Sequence, residues 1–175
     1  LGMSTPPVTG ESSLKYFLDR LSDAKQGPYE EHILLVHNVC LLQSDIDAAK
    51  DVMKNVYWAV CPLSNIFIHN ALPPVPMMWA NGLNVVIGTD SLSSNDDLSM
   101  IKEIICLHEN FPHIPMGEIF TWASLNGARF LSKEKELGTL LSTVSRWWAH
   151  ANDLQPEDLI ATGHEASYRQ LIAKT

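Results

Sequence analysis

Short apolar runs alternate with helix-like segments along the first 131 residues of the chain. The runs are rich in β-branched or aromatic residues, which is typical of buried strands, and lie near residues 33–36, 56–60 and 84–88. The segments between them carry apolar residues three and four positions apart, which predicts helices. Consecutive strands joined through helices form parallel pairs with right-handed crossovers. The pattern therefore predicts an α/β fold with about three parallel strands.

Two further helices are predicted after the last strand. The first places five residues on one face: Leu98, Ile101, Ile104, Ile105 and His108. The second begins at Pro115, where the first helical turn tolerates proline, and continues to about Leu131 as one helix. The periodicity then decays, so residues 1–131 are predicted as one unit and residues 132–175 as a helical or irregular tail.

Polar residues stand where each predicted strand ends. His37 follows the first strand, residues 61–65 (CPLSN) follow the second, and Asp90 follows the third. The carboxyl ends of parallel strands meet at one sheet edge, so these residues are expected to lie together. A lone aspartate there is more often a turn or cap residue, and a lone histidine more often a hydrogen-bonded structural one. The neighbouring Ser64, Asn65, Ser94 and Asn95 are predicted to shape the turns.

Composition and charge narrow the class of protein. The chain has 175 residues, 46% of them hydrophobic, and a formal net charge of −8 without any basic run. This balance predicts a globular domain and argues against nucleic acid or an anionic membrane surface as a partner. The three cysteines are an odd number within apolar segments, which favours a reducing compartment. No apolar run approaches the roughly 20 residues of a membrane-spanning helix, so a cytoplasmic protein is expected.

Four motifs occur in an order known from one enzyme superfamily. They are residues 35–40 (LVHNVC), 61–65 (CPLSN), 88–95 (GTDSLSSN) and 126–129 (NGAR). Together they resemble the last three strands and the following helix of the barrel in the amidohydrolase superfamily, in its deaminase and chlorohydrolase branch. The resemblance covers about residues 10–131. It implies the C-terminal portion of a (β/α)8, or TIM-like, barrel.

The resemblance also implies a chemistry and two site residues. Asp90 matches the aspartate that binds the one divalent metal, zinc or alternatively iron, and that handles the proton of the attacking water. His37 matches a histidine that contacts the substrate or that water without binding the metal. The implied function is metal-dependent hydrolysis of a C–N bond in a small cyclic amine or heterocycle, such as a purine, pyrimidine, pterin or triazine.

Part of the motif set of that superfamily is absent from the sequence. No HxH and no HxxE occurs, although the family draws its other metal ligands from such motifs on earlier strands. Three strands also cannot close a barrel, which needs about eight. We therefore expect a C-terminal fragment of a longer enzyme, with the remaining metal ligands outside this chain. Alone it is expected to be inactive and to associate, either as a homo-oligomer or with the missing part of the barrel.

A second hypothesis needs no resemblance. The chain would then be a stand-alone α/β binding or regulatory domain, with Asp90 as a magnesium ligand or phosphate-accepting residue. Three strands leave little sheet and two open edges for such a domain, and no companion acidic pair accompanies Asp90.

Overall fold

A parallel three-stranded sheet forms the centre of the molecule. The computed structural model describes residue 8, residues 10–24 and residues 29–138. Strands β1 (Tyr29–Val36), β2 (Met53–Val60) and β3 (Asn84–Ile87) pair in that order, with Leu35 opposite Trp58 and Trp58 opposite Val85. All three predicted strands are thus present, and β1 and β2 begin several residues earlier than predicted. From residue 139 onward the predicted tail lies outside the described residues.

The helices of the described residues connect and flank these strands. They are α1 (Ser13–Ala24), α2 (Gln43–Val52), α3 (Pro62–His69), α4 (Val75–Ala80), α5 (Met100–Asn110), α6 (Met116–Ala123) and α7 (Leu125–Phe130). Helix α1 precedes β1, α2 joins β1 to β2, and α3 and α4 join β2 to β3. Among the described residues, no helix combines the length and the apolarity that crossing a membrane requires.

One face of the sheet packs against helices and forms the core. On β2 and β3 this face carries Trp58, Val60, Val85 and Ile87, all buried. Residues from α2, α4, α5 and α6 complete the cluster, including Ile46, Met78, Leu107 and Trp122. Burial of these large apolar side chains, at about 1.5–3 kcal/mol each, is the main force that holds helices to sheet.

The opposite face of the sheet is only partly covered. Side chains alternate between faces along a strand, so Leu34 and Val36 of β1 point away from the core cluster. Val36 is 50% exposed. On the same face, Tyr57 lies opposite Leu34, and the Phe130 ring of α7 packs edge-on against it, with ring centroids 5.4 Å apart. The sheet therefore presents an open apolar surface beside the carboxyl end of β1.

Three helix predictions need correction. Residues 62–69 form helix α3, whereas the sequence predicts only that residues 61–65 end the second strand. The single helix expected from Pro115 to Leu131 is divided at Ser124 into α6 and α7. The Ser124 hydroxyl donates to the Phe120 carbonyl four residues earlier, a hydrogen bond that often accompanies a bent helix.

The face predicted for α5 is also displaced around the helix. Leu98 and Ile105 are exposed, whereas Glu103 and Leu107 are buried beside the correctly predicted Ile104. A buried glutamate is not expected on an apolar stripe, so the apolar pattern predicts a face that leaves Glu103 out.

Candidate functional site

The two predicted site residues lie at the same edge of the sheet. His37 follows β1 and Asp90 follows β3 by three residues, and the His37 Nε2 atom is 3.9 Å from Asp90 Oδ2. Both residues have left-handed backbone conformations, with φ of 70° and 58°. Non-glycine residues rarely adopt positive φ, and such residues are frequent at functional sites. The structure therefore brings together residues 53 positions apart, as the parallel topology predicted.

Two serine hydroxyls hold the Asp90 carboxylate. Ser64 Oγ and Ser94 Oγ lie 2.7 and 2.9 Å from the same atom, Asp90 Oδ2, and 2.9 Å from each other. Ser64 lies in the first turn of α3, and Ser94 lies in the loop after β3; both are buried. These two hydrogen bonds, from Ser64 and from Ser94, hold the pKa of Asp90 below its ordinary value of 3.8. Asp90 is therefore an anion at neutral pH.

A buried asparagine fixes the orientation of the His37 ring. Asn65 Oδ1 accepts a hydrogen bond from the backbone N–H of Cys61 at 3.2 Å, which leaves its Nδ2 facing His37 Nδ1 at 3.0 Å. Because Nδ2 can only donate, Nδ1 of His37 accepts and the neutral ring carries its hydrogen on Nε2. Nε2 is the atom on the side of Asp90. The imidazole thus presents a hydrogen-bond donor on the side of Asp90.

The Cys61 thiol beside this site is not a nucleophile. Burial raises its pKa to about 11, and the nearby Asp90 and Glu103 carboxylates act in the same direction. A thiolate is the reactive form of cysteine, and almost none is present near pH 7.

The donor chemistry of Asp90 fits one ligand position of a divalent metal. Its carboxylate is ionised and its side chain is 30% exposed at the sheet edge. A zinc site, however, uses three or four protein ligands. Among the described residues, no group of three or more histidine, cysteine, aspartate or glutamate side chains is arranged to hold a metal. Asp90 can therefore contribute to such a site but cannot form one alone.

Sequence reasoning did not assign Ser64, Asn65 and Ser94 to the site. They were interpreted as residues that shape turns, whereas the structure places their side chains directly on Asp90 and His37. One signal was available in the sequence: Pro62 precedes Ser64 and Asn65, and proline is frequent in the first turn of a helix. Starting a helix at Pro62 would have put both residues in its first turn, facing the strand ends.

The sequence matches a model of the Amidohydrolase family over residues 16–141. The chain belongs to the amidohydrolase family. Among curated relatives, the 5-methylthioadenosine/S-adenosylhomocysteine deaminase of Moorella thermoacetica is 37% identical over 123 residues, which are 66% of this chain and 28% of that protein. The 5'-deoxyadenosine deaminase of Methanocaldococcus jannaschii is 32% identical over 57% of this chain and 25% of its own length. This amidohydrolase chain thus spans about a quarter of the relatives it matches.

Solved structures of amidohydrolases have the same arrangement of elements. An adenosine deaminase from Xanthomonas campestris with bound zinc superposes with a TM-score of 0.60 at 25% identity, covering 75% of this chain and 30% of its own. The aminofutalosine deaminase of Helicobacter pylori, in complex with methylthio-coformycin, gives 0.56 over 68% of this chain and 28% of its own. The predicted superfamily and the predicted segment of a TIM-type barrel are both confirmed.

Proposed function

We propose that this chain supplies the Asp90 edge of the active site in a metal-dependent aminohydrolase that hydrolyses the C–N bond of a purine-type amine. The family match and the similarity to deaminases of adenosine derivatives support the reaction class. The observation that carries the proposal is the pair formed by an ionised Asp90 and an imidazole whose Nε2 hydrogen lies on the same side. Both groups stand where enzymes with this architecture place their catalytic residues.

Asp90 has the properties of a group that receives and returns a proton. A bound divalent metal supplies an activated water in such sites. The Asp90 carboxylate takes a proton from the attacking water and passes it to the departing amine. The hydroxyls of Ser64 and Ser94 hold the carboxylate in place and keep it ionised before the reaction begins.

His37 has the properties of an electrostatic stabiliser. Its Nε2 hydrogen donates to the negative charge that develops as the water attacks, while Nδ1 stays engaged with Asn65. Because Asn65 is buried and anchored to the Cys61 backbone, the imidazole needs little reorganisation during the reaction.

The metal in this proposal is zinc, held by Asp90 together with ligands outside the described residues. The zinc in the adenosine deaminase of Xanthomonas campestris supports that identity, and iron is the alternative. Adenosine derivatives modified at the 5' position are the first substrates to test, given the names of the relatives. We also propose a cytoplasmic location, which the free thiols of Cys40, Cys61 and Cys106 favour.

Substitutions of Asp90 and His37 in the full-length protein test their two roles separately. Asp90→Asn removes a ligand charge and a base, so turnover should fall by about 10²–10⁴-fold and metal retention should fall with it. His37→Asn removes one stabilising donor, so turnover should fall by about 10²–10³-fold while the metal content stays near that of the wild type. Kinetics on 5'-modified adenosines and metal analysis of the same samples measure both effects.

One outcome would overturn the assignment of roles. If His37→Asn also empties the metal site, His37 is a metal ligand and the strands are placed one position wrongly within the barrel. Glu109→Gln, an exposed change on α5, serves as the control and should leave turnover and metal content unchanged. The alternative of a stand-alone regulatory domain with Asp90 as a phosphate or magnesium site is not favoured, since the chain belongs to a family of hydrolases.

A further inference from the structure

A fully buried carboxylate lies behind the site. Glu103 is on α5, has no exposed surface and belongs to none of the motifs that identified the family. Its Oε2 accepts a hydrogen bond from the backbone N–H of Leu63 at 2.9 Å, and its Oε1 accepts one from Asn95 Nδ2 at 2.6 Å. A buried charge is costly unless it is well paired, so these hydrogen bonds are needed to keep it there.

The partners of Glu103 adjoin the residues that surround Asp90. Leu63 precedes Ser64, and Asn95 follows Ser94. One hydrogen bond of Glu103 therefore holds the backbone beside Ser64, and the other holds the side chain of the residue beside Ser94. Asn95 Nδ2 also donates to the backbone carbonyl of Thr89, the residue before Asp90, at 2.9 Å.

The geometry around Asp90 depends on three separate segments. They are the first turn of α3, the end of β3 and the loop that follows β3. Helix α3 begins 28 residues before Asp90, so no local hydrogen bond sets the distance between Ser64 and Asp90. Glu103, from the separate helix α5, accepts hydrogen bonds from both α3 and the loop after β3. Its negative charge also lies at the N-terminus of α3, where the helix dipole favours an anion.

We propose that Glu103 is a positioning residue for the metal-binding carboxylate, which it controls by fixing the α3 start and the loop after β3 so that Ser64 and Ser94 meet at one oxygen of Asp90. The inference rests on the proposed function, since it assumes that Asp90 binds the metal. Glu103 itself touches neither substrate nor metal.

Two variants of the full-length protein break this arrangement differently. Glu103→Gln retains one acceptor but places an NH2 group against a donor, either the Leu63 N–H or Asn95 Nδ2. Asn95→Ala keeps the buried carboxylate and removes the link from Glu103 to Thr89. Outer partners of metal ligands are typically worth 10–100-fold in metal affinity or activity. We expect each variant to weaken zinc affinity by about that factor, with turnover reduced and KM little changed.

A double-mutant cycle distinguishes positioning from general stabilisation. Zinc affinity is measured by competition with a chromophoric chelator for Glu103→Gln, for the double variant Ser64→Ala with Ser94→Ala, and for the triple variant. If Glu103 acts through the serines, Glu103→Gln causes no further loss once both serines are absent. Fully additive losses would overturn the proposal, as would wild-type zinc affinity in Asn95→Ala. Should Glu103→Gln fail to fold, the same cycle is run with Asn95→Ala.

A control variant and two further outcomes distinguish the positioning role of Glu103 from the proposed enzyme function. Glu109→Gln removes a charge from the exposed side of the same helix and should leave zinc affinity within twofold of the wild type. If the wild-type protein binds zinc through Asp90 but turns over no purine amine, the proposed substrate class fails while the affinity cycle still decides the role of Glu103. If Asp90→Asn retains full zinc affinity, both the ligand assignment and the positioning role are refuted.

Discussion

Three oxygen atoms from Asp90, Ser64 and Ser94 lie within 3 Å of one another, although Ser64 is 26 residues before Asp90 in the sequence. A carboxylate that accepts two hydroxyl hydrogen bonds stays ionised and fixed in orientation. The same principle applies to His37, whose tautomer follows from a single buried amide. At the scale of the residue, hydrogen bonds from Ser64, Ser94 and Asn65 therefore set the charge and orientation of Asp90 and the tautomer of His37.

The free energy of unfolding should depend on pH through the titration of Glu103. Burial raises the pKa of this carboxyl above its ordinary value of 4.5, and its hydrogen bonds from Leu63 and Asn95 offset only part of the effect. Because the folded pKa exceeds the unfolded one, the stability linked to protonation is fully present below about pH 4.5 and is lost as the pH rises through the raised value.

Thermal unfolding of the metal-free protein between pH 4 and 8 tests this linkage. The Tm of the wild type should fall relative to that of Glu103→Gln as the pH rises, because glutamine does not titrate. Glu109→Gln gives the effect of removing an exposed charge from the same helix. A constant difference in Tm between the wild type and Glu103→Gln across this range would show that the pKa of Glu103 is not raised.

At the scale of the element, the position of α7 depends on a close backbone contact. Gly138 has a φ of 87°, and a Cβ added there would lie 2.7 Å from the Cα of Leu125 at the start of α7. Asn126 of the same helix donates from Nδ2 to the Val85 carbonyl of β3 at 2.8 Å. A helix held between a strand and a returning chain leaves no room for even a methyl group at Gly138.

Alanine substitutions at Gly138 and Gly82 should separate the cost of the contact with Leu125 from the cost of a left-handed backbone conformation. Gly138→Ala should destabilise the protein by more than about 2 kcal/mol, since the left-handed backbone costs roughly 1–2 kcal/mol and the clash adds to it. Gly82→Ala is the matched control: its φ is 63°, but nothing lies within 4 Å of the added Cβ. Equal losses in the free energy of unfolding, measured in urea, would mean that the contact with Leu125 contributes nothing.

At the scale of the whole molecule, the sheet formed by the described residues has one partly covered face and two strand edges. Leu34 and Val36 are exposed beside β1, and β1 and β3 each have only one partner strand among the described residues. Unpaired backbone groups and apolar side chains together favour association with another chain. This is the physical basis for expecting a homo-oligomer, or contact with further strands of the same barrel.

The isolated 175-residue chain should therefore self-associate as its concentration rises. Sedimentation velocity over a hundredfold concentration range would detect the association, and Val36→Lys should weaken it by placing a charge on the exposed face of an edge strand. Leu98→Lys provides the control, since Leu98 is similarly exposed but precedes α5. A chain that stays monomeric throughout, or that responds equally to both substitutions, would contradict this account of the surface.

The apolar pattern by itself determined the strands, their parallel order and the meeting of His37 with Asp90. These follow from local rules, because a β-branched run such as Val85, Val86 and Ile87 favours a strand, and crossovers through helices make successive strands parallel. The motifs after those strands also determined the family. Helix α3 and the division at Ser124 escaped this reasoning, since a proline turn and one serine hydroxyl decide them. The first residues of β1 and β2 and the buried face of α5 escaped it as well.

The tertiary structure alone decided which polar side chains hold the site. Ser64, Asn65 and Ser94 have the composition of ordinary turns, and Glu103 is one charged residue on a helix. Their roles come from contacts between segments up to 40 residues apart, such as the hydrogen bond from Leu63 to Glu103. A hydrogen bond between distant segments leaves no period in the sequence, because its distance and direction are fixed by how helices pack on the sheet. The burial of Glu103 is of this kind: its carboxylate is stable in the core only because α3 and the loop after β3 bring it donors.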